Sequence, residues 1–116
     1  MNLKDINKES IIEVVNKFIN KSLLNDENRK FVVNNCWYNS EIECWIVDCT
    51  EKYSNSFSNT LDNTQTLIDE DYFEIILGKK GVWQTQFDEK LSKNLKTEWV
   101  SFLQNYENQS KNSMEL

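Results

Sequence analysis

The residues best able to do chemistry in this 116-residue chain are three cysteines, Cys36, Cys44 and Cys49, and a set of clustered carboxylates. A cysteine nucleophile needs an imidazole or its equivalent to form the thiolate, and the chain contains no histidine. That absence also removes the commonest general base near neutral pH and the commonest zinc ligand. Cys44 and Cys49 have odd spacing, so on one strand they point to opposite sides of the sheet and cannot share a metal ion. None of the three forms a Cys-x-x-Cys motif, and their odd number fits no disulfide framework. They are expected as buried small hydrophobes.

The carboxylates fall in two groups, Glu41 with Glu43 and the run Asp69-Glu70-Asp71 with Glu74. A glycosidase would need two carboxylates opposed across a cleft, one with a raised pKa, and no flanking pattern singles out such a pair. The stretch from Asp62 lacks the acidic spacing and central glycine of a calcium loop. No catalytic residue, metal or cofactor is expected, and a solvated acidic face accounts for most of these charges. With 13 basic and 19 acidic side chains the net charge is −6, and Arg29 is the single arginine. Nucleic-acid affinity depends on Lys and Arg neutralising phosphates, so a nucleic-acid partner is disfavoured and none is expected. The absence of Pro and Ala beside 16 Asn and 12 Lys follows from AT-rich coding, so the asparagines carry no functional weight.

The elements that must position these groups follow from hydrophobic periodicity. Ile11, Ile12, Val15, Phe18, Ile19 and Leu23 recur at three and four residues, which predicts a helix with Ser10 and Glu13 as its capping box. Asn25 to Asn28 ends it as a polar loop. Residues 30–38 and 41–50 alternate as two strands joined by Asn39-Ser40, which would set Trp37 opposite Ile42, Asn35 opposite Cys44, Val33 opposite Ile46 and Phe31 opposite Asp48. That face is expected to be the core. Residues 51–69 stay open: the stretch of Tyr53 and Phe57 fits an extension of the second strand or the start of a third, and 60–68 fits strand or short helix. Tyr72 to Leu77 and Val82 to Phe87 flank Gly78-Lys79-Lys80-Gly81 as a second hairpin, its glycines expected at positive φ. From Asp88, a good N-cap, Leu91, Leu95, Trp99, Phe102, Leu103 and Tyr106 form a core-facing helical stripe up to about residue 106. The expectation is one α+β domain over residues 1–107, an antiparallel sheet of four to five strands with an amphipathic helix at each end, and a flexible tail at 108–116. No apolar stretch reaches signal-peptide or membrane-spanning length, so a soluble, cytoplasmic protein without a membrane partner is expected.

The more specific pattern is acid and aromatic groups on one expected sheet face: Tyr38, Glu41, Glu43, Trp45, Glu51 and Tyr53. Exposed aromatics beside negative charge suit an interface that anchors through Trp or Tyr and steers a basic partner. In size, acidity, single α+β domain and lack of catalytic residues, the whole chain resembles the bacterial immunity proteins that neutralise polymorphic or contact-dependent growth-inhibition toxins. That resemblance implies an acidic surface that masks a basic nuclease active site. Charge would come from Glu41, Glu43, Asp48, Glu51, Asp69, Glu70, Asp71 and Glu74, with Tyr38, Trp45 and Tyr53 as anchors. By element order the chain is also similar to the small acidic class I chaperones of type III secretion, which implies a homodimer holding an effector segment. A phage-encoded inhibitor of a host nuclease would need the same acidic surface.

Overall fold

A computed structural model describes residues 2–54 and 67–114, and they form an α+β fold of two helices and a four-stranded antiparallel sheet. The chain begins with a 3₁₀ turn at Leu3–Asp5 and continues into α1 (Lys8–Lys21). The cap is Asn7, whose Oδ1 accepts from the Ser10 amide at 2.8 Å, so Ser10 lies inside the first turn rather than at the cap. Leu3 and Ile6 are buried, and they draw the chain onto the core before the helix starts. The helix closes through Ser22 and a left-handed Leu23 (φ 53°). Leu23 is therefore exposed, while Leu24 turns back into the core.

The sheet runs β1 (Arg29–Asn39), β2 (Cys44–Ser54), β3 (Leu67–Leu77) and β4 (Val82–Trp83), in that spatial order. The first hairpin does not close through two residues. Asn39 Oδ1 accepts from the Glu41 and Ile42 amides at 2.9 and 3.3 Å, and the turn continues to Glu43, which takes a positive φ of 54°. Asn39 consequently pairs with Cys44, and Trp37 with Ile46 rather than Ile42. A four-residue displacement preserves sidedness. A second irregularity does not: Asn34 is an extra residue between the Val33–Cys49 and Asn35–Asp48 pairs, and this bulge exchanges the two faces of β1.

The expected core face is therefore corrected. Phe31 and Val33 do pack on the helices, but Asn35, Trp37, Cys44, Ile46 and Asp48 lie on the opposite side, while Cys36, Tyr38, Trp45 and Val47 line the core. With Cys49, Phe73, Ile75 and Leu77 they form the floor on which Ile11, Val15, Phe18, Leu95 and Trp99 of the helices rest. All three cysteines are buried free thiols. Phe87, half-buried, packs against this layer, its ring 5.3, 5.6 and 5.5 Å from Phe18, Phe31 and Phe73.

In the second hairpin β4 is only two residues long, because Gln84 turns the chain away. Its Oε1 accepts from the amides of Gln86 and Phe87, both at 2.6 Å, and Phe87 drops into the core. No glycine has a positive φ, against expectation. Gly78 is required by space instead, since a Cβ there would lie 2.7 Å from Cys44 Sγ and 3.1 Å from the Trp83 ring. The helix α2 (Glu89–Met114) starts where expected, with Asp88 Oδ1 accepting from the Leu91 amide at 2.9 Å. Trp99 is 1 % exposed and donates to the Gly78 carbonyl at 2.9 Å, which ties the helix to the hairpin. The backbone of the segment expected as a tail continues this helix to Met114. Residues 55–66, within the segment expected as strand or short helix, lie outside the described residues, whereas 51–54 extend β2 and 67–69 begin β3.

Two stability outcomes follow. Gly78→Ala should cost about 1–3 kcal/mol by overpacking, with part of the loss recovered in a Gly78→Ala/Cys44→Ala double variant. Asn7→Ala should cost about 1 kcal/mol as a lost cap. Urea unfolding of the variants would measure both.

Candidate functional site: the open face of the sheet

Both helices pack on one face of the sheet, and among the described residues no element lies on the other. The register arranges that open face in rows across the strands. Trp37, Ile46, Ile76 and Trp83 make one row, a strand apart from one another from edge to edge. Asn35, Asp48 and Glu74 make the next, and Val32, Thr50 and Tyr72 the one beyond. Lys30, Lys52 and Glu70 close the series.

Ile46 in this row is buried, as is Thr50 two rows away, whereas Trp37 and Trp83 at the ends of the row are 40 % and 52 % exposed. Trp83 is held rather than loose, because its ring lies against Gly78 and Gly81 where no side chain intervenes. Two aromatic anchors thus flank an aliphatic ridge, with the carboxylates of Asp48 and Glu74 one row away. Asn34 Nδ2 donates to Thr50 Oγ1 at 2.6 Å, and Tyr72 donates to Glu70 Oε2 at 2.6 Å, which fixes the polar rows.

The expected site residues divide among four places. Asp48, Glu70 and Glu74 are on the open face. Glu41 and Glu43 are exposed in the turn between β1 and β2. Tyr38 and Trp45 face the helices rather than the open side: Trp45 is buried and Tyr38 half-buried, their rings pack edge to face at 5.8 Å, and Trp45 Nε1 donates to the Leu3 carbonyl at 2.8 Å. Glu51, Tyr53, Asp69 and Asp71 come together at the polar end of the helix-covered face, where Phe31, Glu51 and Asp71 share one row and Arg29, Tyr53 and Asp69 the next. The residues missed are Trp37, Val32, Ile46, Tyr72, Ile76 and Trp83. Their signal was present in β1, where the apolar residues Phe31 and Val33 have the opposite parity to Cys36 and Tyr38 across Asn34-Asn35.

At that polar end Glu51 is only 2 % exposed, yet it is fully engaged. Arg29 Nε lies 3.3 Å from Oε1, and Gln86 Nε2 donates to Oε2. The Arg29 guanidinium also sits over the Tyr53 ring at 5.8 Å. The hydrogen bond from Tyr53 to the Glu51 carboxylate, with burial and the nearby Asp71 charge, pushes the phenol up to about 12 against the opposing effect of Arg29. This is a satisfied ion-pair network that closes the core. A separate cleft of about 290 Å³ lies between the two hairpin turns, lined by Tyr38, Glu43, Cys44, Lys79, Lys80 and Trp83 among others. Burial, then the Glu43 charge, raises the pKa of its Cys44 thiol. Burial also raises Cys36, and it pushes Cys49 up to about 12 with help from Asp48. Among the described residues no cluster of Cys, Asp and Glu could hold a metal ion, and no helix is long and apolar enough to cross a membrane.

No protein-family model, curated protein or solved structure matches this chain.

Tyr53 and the thiols give a pH-dependent outcome. A raised phenol pKa means the folded state holds a proton that the unfolded chain has released, so stability from Tyr53 is complete below pH 10.0 and is lost as pH rises through about 12. Ultraviolet titration should resolve one tyrosine near the upper value, moving down in Glu51→Gln. At pH 8 the native thiols should resist a disulfide reagent that titrates all of them after denaturation.

Proposed function

We propose that this chain is a non-catalytic, cytoplasmic binding protein that neutralises a basic protein, in the manner of an immunity protein masking a toxin nuclease. The observation that supports this reading is the row Trp37–Ile46–Ile76–Trp83 on a sheet face that the helices leave open, with Asp48 and Glu74 beside it. Interfaces draw their energy from a few aromatic anchors in a desolvated centre, and complementary charge sets the encounter rate. A held Trp83 loses little side-chain entropy on binding, which favours its role as an anchor. The same face replaces the one expected from sequence, with Trp37 and Trp83 as anchors in the place of Tyr38 and Trp45.

Affinity capture from the source organism should recover a basic protein at one-to-one stoichiometry whose activity is lost on mixing. Trp37→Ala and Trp83→Ala should each weaken that complex by about tenfold or more, with thermal unfolding nearly unchanged. Reversal of Asp48 and Glu74 to Lys should slow association and flatten its salt dependence more than reversal of Glu41 and Glu43, which stand in the turn. Undiminished binding by the Trp37→Ala/Trp83→Ala double variant would overturn the assignment of the face. A stable homodimer gripping an extended effector segment would overturn the inhibitor reading in favour of a secretion chaperone.

A further inference from the structure

We infer that the free edge of β3 is a second docking site, one that takes an extended basic segment as an added strand. It does not rest on the proposed use of the open face. The strand β3 is 11 residues long, but β4 pairs with it only at Ile76 and Leu77. The Gln84 turn then carries the chain under the sheet, so among the described residues nothing occupies the lane beside residues 69–74.

The hydrogen-bonding direction along this edge follows from the hairpin. The Gly78 amide donates to the Gly81 carbonyl at 2.9 Å, and Ile76 is the partner of Trp83. Antiparallel pairing alternates, so the even-numbered residues of β3 aim their N–H and C=O groups at the lane of β4. Below Ile76 these are Glu74, Tyr72 and Glu70. Asp69 Oδ1 already accepts from the Glu70 amide at 2.8 Å, which leaves Tyr72 and Glu74 as the groups presented to a partner strand.

Charge selects the occupant. Glu70 and Glu74 stand on one face of this edge and Asp69 and Asp71 on the other, so an incoming strand meets carboxylates on both of its faces. Side chains opposite each other on neighbouring strands lie close enough for like charges to repel and opposite charges to attract. A second copy of this chain pairing β3 to β3 would set acids against acids, whereas a strand with Lys or Arg at alternate positions sets those cations beside Glu70 and Glu74 on one face or beside Asp69 and Asp71 on the other. The opposite edge of the sheet is a poorer template, since the Asn34 bulge breaks its pleat. Added strands gain affinity from main-chain bonds and specificity from the alternate side chains, as peptide recognition by sheet edges does elsewhere.

The test uses the full chain and a short synthetic peptide alternating Lys and Val, with two controls: the same peptide N-methylated at alternate residues, and a Glu/Val counterpart. The expected result is saturable binding of the Lys/Val peptide, with slowed hydrogen exchange at the Tyr72 and Glu74 amides. N-methylation should weaken binding about tenfold by removing main-chain donors, and the Glu/Val peptide should not bind. An Asp71→Lys/Glu74→Lys variant with unchanged circular dichroism should lose the Lys/Val peptide. Equal binding of the N-methylated peptide, protection appearing on β1 instead, or no saturation would each overturn the inference. The Trp37→Ala/Trp83→Ala variant should still bind the peptide, so this site and the open face can fail separately.

Discussion

One inserted residue decides which side of this sheet is wet. The strand β1 must send Phe31 and Val33 to the helices at one end and Cys36 and Tyr38 to the same side at the other, and strict alternation forbids both. The bulge at Asn34 removes the conflict by turning two consecutive polar residues outward, where Asn34 finds a partner in Thr50. Without it, either the lower or the upper half of the strand would set its apolar groups in water. The upper half of the strand inherits this choice: Tyr38 packs on Trp45, which donates to the Leu3 carbonyl, and Trp37 is exposed on the other side.

The same economy of elements explains the polar end of the core. Strands of 11 residues outrun the apolar cover of α1, and from the row of Phe31 outward the positions are filled by Glu51, Arg29 and Tyr53 rather than by more hydrophobes. A carboxylate as buried as Glu51 is tolerable only when its oxygens are bonded, and here a guanidinium, an amide and a phenol do so from three separate segments. Gln86 belongs to the turn that places Phe87 in the aromatic cluster, so the polar cap and the apolar layer set the position of one loop together.

Periodicity made the helices legible, because a three-to-four spacing of apolar residues has no competing explanation at α2, and Asp88 stands one residue before its start. At α1 two caps three residues apart both satisfied local chemistry. Asn7 prevails over Ser10 because the buried Leu3 and Ile6 fix where the chain meets the core, which is a tertiary effect. The strands were legible as segments but not as a register. Turn length depends on the Asn39 side chain bonding back to two amides, and the bulge depends on packing, so neither follows from alternation alone. The acidic and aromatic groups on the open side are not the expected set: Asp48 moves there from the expected core face to join Glu70, Glu74, Trp37, Tyr72 and Trp83, while Tyr38, Trp45 and Tyr53 lie on the helix-covered side.

Two helices can cover only one face of a four-stranded sheet, so a second face that none of the described elements covers is a consequence of the element count. Its composition is not. A face meant only for solvent would alternate to polar residues along every strand, and here a whole row is apolar from edge to edge. Such a ridge invites self-association unless charge opposes it, and a net charge of −6 with carboxylates in the adjoining row provides that opposition between identical copies. The same charge attracts a basic surface. In the proposed inhibitor, a ridge that repels its own kind and draws in the opposite charge would be selective by electrostatics first and by the two tryptophans second, which is the division of labour that fast and specific association requires.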